Sequence, residues 1–104
     1  DSLPEYDAAL LVHKKSKCDE QVALSMLREM SVRFRDIPWT EEAIHGALTG
    51  AAEELGCKNA TVMWPVRIAV AGKAVTPGGA VEICHILGRD ETLRRMAVAM
   101  EKLQ

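Results

Sequence analysis

The most regular stretch of the chain runs from Thr40 to Gly56. Ile44, Ala47, Leu48, Ala51, Ala52 and Leu55 recur at the 3.6-residue spacing of an amphipathic helix. Thr40 supplies a capping hydroxyl, Glu41 and Glu42 place negative charge in the first turn, and Gly56 is a natural stop. An earlier stripe of Ala23, Met26, Leu27, Met30 and Phe34 follows Asp19, a candidate cap, and "RDIPW" ends it. Two further helices flank Gly88. The first has Thr76 as cap, Pro77 at the first helical position, and Ala80, Ile83, Cys84 and Leu87 on one face. The second begins at Asp90 and Glu91, with Leu93, Met96, Ala97 and Met100 inward and Arg94, Arg95 and Lys102 on the outer surface. At the front, "LPEYDAALLVHK" predicts a short helix from Pro4, with Glu5 and Asp7 at its positive end, before "KKSKC" breaks the pattern.

The stretch "MWPVRIAVAGKAVTPGGAVEI" is ambiguous. As a strand, Val66, Ile68 and Val70 alternate with Arg67 and Ala69, and a hairpin through "AGK" follows. As a helix, Val62, Val66, Ala69 and Val70 line one side and Gly72 stops it. Pro65 suits such a helix only within its first turn, where its missing N–H would be unpaired anyway. Pattern alone leaves the two close to even. An otherwise helical chain offers a lone hairpin no sheet to join, and such a hairpin is marginal in water, so the expectation is a helix over Val62–Ala71.

Composition agrees with helices. The 104 residues suffice for one domain with one modest core, and with so few aromatics that core must be Leu, Ile, Val, Ala and Met. A net charge of −2 gives no blanket attraction to nucleic acid or anionic membrane. The charge is uneven: seven Lys/Arg face eleven Asp/Glu up to Val66, and six face four from Arg67 onward. Cys18, Cys57 and Cys84 show no zinc spacing and read as reduced thiols of a cytoplasmic protein. No apolar run approaches the roughly 20 residues that span a bilayer, so no membrane partner is expected. "DSLPEYD" is not a signal peptide, and without an initiator Met it reads as the start of an excised segment.

Few motifs carry chemistry. "AGKAV" fails as a phosphate loop, because Arg67 and Ala74 stand where Gly and Ser/Thr are needed. "HKKSKC" resembles the lysine-rich signature loop of class I aminoacyl-tRNA synthetases but lacks the partner His-x-Gly-His motif, and reads as a solvated linker. His13, His45 and His85 are far apart, without carboxylates at ligand spacing, so structural or surface roles are expected. No catalytic, cofactor-binding or metal-binding residues emerge. Arg67 is the exception among the charged groups. Its planar fork of five donors suits base edges and phosphates, with a surface ion pair as the plainer reading. "TPGG" is either a simple helix start or a place where glycines admit an unstacked nucleotide to free backbone N–H groups.

At these residues the chain resembles a known family. "MWPVRIAVAGKAVTPGGAVEICHILGRDETLRRM" is similar to the end of bacterial-type glutamyl-tRNA synthetases, in which a Pro-hydrophobic-Arg-x-Ala-hydrophobic run precedes Gly and a Ser/Thr-Pro-Gly turn. An apolar helix, Leu-Gly and a charged helix complete the series, while "WTEEAIHGALTGAAEELG" and "LLVHKKSKC" fit the family's upstream elements. The resemblance implies an all-α, compact bundle of five to six helices over residues 1–104, the C-terminal anticodon-binding domain of a class I synthetase. It implies tRNA as partner, glutamate tRNA first, together with upstream domains of the same chain. ATP and Mg would belong to a catalytic domain absent here. The family's anticodon-contacting arginine falls on Arg67, and its turn meeting the first two anticodon bases falls on Thr76, Pro77 and Gly78. Gly79 departs from the family, which often has a bulky apolar residue straight after Pro-Gly, so no base contact is carried over to it.

Sequence-specific RNA recognition mostly works on splayed single-stranded loops through stacking and base-edge hydrogen bonds, so an acidic domain with one well-placed arginine can take part when the rest of the enzyme supplies most of the affinity. Two rivals make different demands. A protein-interaction module would show an exposed apolar groove for a partner helix. A small enzyme built on Lys73 would show a deep pocket around that amine.

Overall fold

The structure, a computed structural model, describes residues 6–73, 76 and 78–104. Among them are five α-helices: α1 (Glu20–Arg33), α2 (Glu41–Leu55), α3 (Asn59–Ala71), α4 (Ala80–Leu87) and α5 (Arg89–Leu103). Two 3-10 turns, Ala8–Leu11 and Lys14–Ser16, precede α1. The described residues contain no strand beyond a single bridge between His13 and Cys18. The all-helical bundle is as the sequence predicts.

Local signals set most boundaries. The Asp19 carboxylate accepts from the Val22 amide at 2.8 Å and opens α1; the Thr40 hydroxyl accepts from the Ala43 amide at 3.1 Å and opens α2. Gly56 and Gly72 close α2 and α3 in the left-handed conformation, at φ 69° and 71°. At the front, the predicted helix is replaced by the two 3-10 turns. Asp7 caps the first of them through the Ala9 amide, and Pro4 and Glu5 lie outside the described residues.

The helix α3 resolves the ambiguous stretch and explains the architecture. It touches all four other α-helices and both 3-10 turns. Its buried residues cover more than half of its circumference, Ile68 as well as the predicted Val62, Val66, Ala69 and Val70. A core helix of this kind loses the one-sided stripe that periodicity detects, which is why strand and helix were hard to separate. It also starts earlier than predicted, at Asn59, so Pro65 sits in its second turn. An interior proline removes one hydrogen bond and costs about 3 kcal/mol. Burial of Val62, Val66, Ile68, Ala69 and Val70 offsets that.

Other inward positions also differ from the pattern. In α5 the fully buried residues are Thr92, Met96 and Ala99, while Ala97 faces solvent. Arg95 is not on the outer surface: it reaches back to α3, donating to the Val70 carbonyl at 2.6 Å and to Glu91 at 2.7 Å. In α2, Leu55 is exposed at the last turn. Between α1 and α2, Trp39 stacks edge-on against Phe34 and donates to the Cys84 carbonyl at 3.0 Å, tying the "RDIPW" corner to α4. Arg89 braces the same corner through the Phe34 and Ile37 carbonyls.

Candidate functional site

Trp64 and Arg67 are three residues apart on α3 and share a face. The Arg67 guanidinium carbon stands 5.1 Å from the Trp64 ring centroid, within cation–π range. The ring itself is fixed. Its Nε1 donates to the Leu10 carbonyl at 3.1 Å, and His13 stacks on it with centroids 3.9 Å apart and planes 13° from parallel. His13 is held in turn by Ser16, with Nδ1 2.7 Å from the hydroxyl, and the Ser16 carbonyl accepts from the Thr61 hydroxyl of α3. Arg67 thus sits on a platform whose own partners come from two elements. Such support reduces the ordering cost of binding.

Arg67 faces an open cleft of about 280 Å³. Met63, Trp64 and Arg67 form one wall and Ser16 adjoins them, while Gly79 and Ala80, at the start of α4, form the other. This is just below the range of roughly 300–1,000 Å³ typical of drug-sized ligand sites, and it leaves room for one flat group. The described lining holds no Cys, His, Asp, Glu or Lys. It can stack and donate hydrogen bonds. Its one hydroxyl among the described lining residues is that of Ser16, bonded to His13, and Lys73, exposed beyond α3, is not in it.

The corner before α4 differs from expectation. Gly79, not Thr76, is the N-cap residue of α4, and no side chain caps that end. The Thr76 hydroxyl instead donates to the Gly78 carbonyl, bracing the turn on itself. Thr76 lies too far ahead of Ala80 to reach the amides a cap must satisfy. Pro77 lies outside the described residues. Glu82, in the first turn of α4, packs under the corner: a Cβ on Gly79 would stand 3.2 Å from its Oε1, and one on Gly78 3.4 Å from its Cβ. A carboxylate there disfavours a phosphate and leaves a base edge acceptable.

Of the residues singled out in the sequence, Arg67 meets the glycine corner in one cleft, and Thr76 and Gly78 meet each other beside it. Trp64, His13 and Ser16 were missed. Trp64 was legible, because its spacing from Arg67 puts an aromatic beneath a guanidinium on any helix. His13 was not, since no local pattern pairs it with a ring 51 positions away. The buried cysteines are inert by environment. Burial pushes the Cys84 thiol up to about 12, and burial with the nearby Asp19 pushes Cys18 up to about 11.

A family model described as "Anticodon binding domain" matches residues 1–100. A relative named glutamate–tRNA ligase from Lachnoclostridium phytofermentans is 46% identical over 104 residues, covering 99% of this chain and 21% of the relative. One of the same name from Clostridium tetani is 45% identical over 105 residues, covering 100% and 22%. The crystal structure of a glutamate tRNA ligase from Elizabethkingia meningosepticum, in complex with its amino acid, shares the fold at a TM-score of 0.81 and 24% identity, over 99% of this chain and 20% of that one. The chain spans about a fifth of the length of these relatives.

Proposed function

We propose a function from the premise that the chain belongs to the anticodon binding domain family: it holds the anticodon loop of a tRNA as one part of a glutamate–tRNA ligase. The observation that carries this is the Arg67 guanidinium resting on Trp64 in a cleft closed opposite by a glycine corner. An anticodon base leaves its stack and enters the cleft edge-first. Arg67 offers its planar donors to the base edge, a geometry lysine could not reproduce. Backbone groups of Thr76, Pro77 and Gly78 meet the first two anticodon bases, where small residues let a nucleotide approach.

The partner is glutamate tRNA, after the name shared by the relatives. With a net charge of −2 the domain contributes selection more than general affinity, and other domains of the same ligase supply most of the binding. ATP and Mg act in the catalytic domain, and this chain takes no part in that step. The test is the affinity of full-length ligase for glutamate tRNA with and without Arg67→Ala. Loss of one charge-assisted base contact weakens binding by about 1–3 kcal/mol, roughly 5- to 150-fold. Unchanged affinity would remove Arg67 from the interface.

A further inference from the structure

Beside the cleft lies a loop whose sequence looks like a solvated linker and whose structure is not one. His13 and Cys18 pair through both backbone hydrogen bonds, at 2.8 and 3.0 Å, and close a hairpin-like loop around Lys14, Lys15 and Lys17. Lys17 takes the left-handed conformation at φ 53°, uncommon for a residue with a side chain. The loop is fastened to α3 twice, by the Thr61 hydroxyl on the Ser16 carbonyl and by the His13 ring on Trp64. It therefore presents its lysines from a fixed position.

Lys14 and Lys17 of this loop and Lys58 of the α2–α3 corner border two hollows that share Lys17. Lys17 and Lys58 line one hollow of about 420 Å³, and Lys14 and Lys17 line the neighbouring one of about 360 Å³. Asp19 is the one carboxylate in either lining, and it already accepts from the Val22 amide to cap α1. Arg33 pairs with Glu29 and Glu54, and Arg94 and Arg95 both pair with Glu91. Among the described residues Lys14, Lys17 and Lys58 have no such carboxylate partner, and all three are exposed. Three exposed ammonium groups thus border two hollows that share Lys17, with no ion pair to any of them among the described residues.

We propose that Lys14, Lys17 and Lys58 form a binding surface for RNA phosphates, on which the backbone leading into the anticodon cleft rests. Ser16 belongs both to this loop and to the cleft wall, so one strand of RNA can touch lysines and Arg67 together. Lysines act on phosphate as point charges and set position without reading sequence, whereas the arginine in the cleft reads the base. The proposal rests on the anticodon-binding reading above and separates from it experimentally.

The measurement is the affinity of full-length ligase for glutamate tRNA at a series of KCl concentrations. It is made for wild type, for Arg67→Ala, and for the triple variant Lys14→Gln, Lys17→Asn, Lys58→Gln. Asn is used at position 17 because it tolerates the left-handed backbone. Each phosphate contact on single-stranded RNA contributes about 0.7 to the slope of log affinity against log salt. The triple variant should therefore lower that slope by about two units, weaken all anticodon variants about equally, and keep its helical circular dichroism. The charge-preserving Lys→Arg triple should keep the wild-type slope. A fall of less than about one unit in the neutral variant overturns the lysine surface, even where Arg67→Ala weakens binding as expected. A fall seen equally in the Arg triple overturns it too, because shape and not charge would then be responsible. Failure of wild type to bind, or an unaffected Arg67→Ala, defeats the anticodon reading itself and takes this surface with it.

Discussion

Cys57, Glu91 and Arg95 show how single residues inherit their behaviour from their surroundings. Cys18 and Cys84 are buried, with thiols pushed up to about 11 and 12, whereas Cys57 is half-buried beside Lys58. The thiolate is the reactive form, so Cys57 should take up iodoacetamide in the native protein and the other two only after unfolding. Mass spectrometry of peptides alkylated before and after denaturation checks this; native labelling of Cys84 would contradict its burial. Glu91 titrates in a different way. Arg95, then Arg94, hydrogen-bonds its carboxylate and holds it below the usual value of 4.5. A carboxylate whose folded value is depressed stabilises the fold above its unfolded value, and that stabilisation disappears as pH falls through the folded one. Thermal midpoints should therefore drop below about pH 4.5 more steeply in wild type than in Glu91→Gln. Equal steepness would mean that the pair contributes nothing.

Among the elements, α1 and α2 were legible because each has a capping side chain, a one-sided stripe and a clean stop. Burial on one narrow side produces a pattern; burial over more than half of the circumference blurs it, as in α3. The start of α4 was misread because Thr-Pro-Gly-Gly carries good cap and first-turn residues, while the chain spends them on a braced corner and opens the helix at Gly79. In α5 the predicted Leu93, Met96 and Met100 pack in or against the core and Ala97 does not; Thr92 is buried as well because its hydroxyl finds the Cys84 carbonyl at 3.3 Å, a partner 8 residues away that hydropathy does not register. Gly88 was read correctly as the break between the two helices. Its φ of 87° and ψ of 164° lie in a region open essentially to glycine, and nothing stands within 4 Å of an added Cβ. Gly88→Ala should consequently cost about 1–3 kcal/mol in chemical denaturation through backbone strain alone. A neutral substitution would show that the α4–α5 joint relaxes freely.

Across the whole molecule, α3 is both the centre of the core and the carrier of the site. The packing that fixes Val62, Val66 and Val70 against the surrounding helices also fixes the direction of Trp64 and Arg67. Arg67 stands out in the sequence because an arginine within an apolar run must leave the core somewhere. The cleft it enters was not, since its opposite wall and its supporting rings come from residues 13–16 and 79–80, remote in sequence. Whether this cleft reads a base is tested most sharply by comparing tRNAs. Aminoacylation kcat/KM is measured for full-length wild type and Arg67→Ala on native glutamate tRNA and on a variant changed at the first anticodon position. Wild type should strongly prefer the native tRNA, and Arg67→Ala should lose on the order of 1–3 kcal/mol of that preference. The same preference in both enzymes, whether or not the mutant is slower overall, would contradict base reading by the cleft.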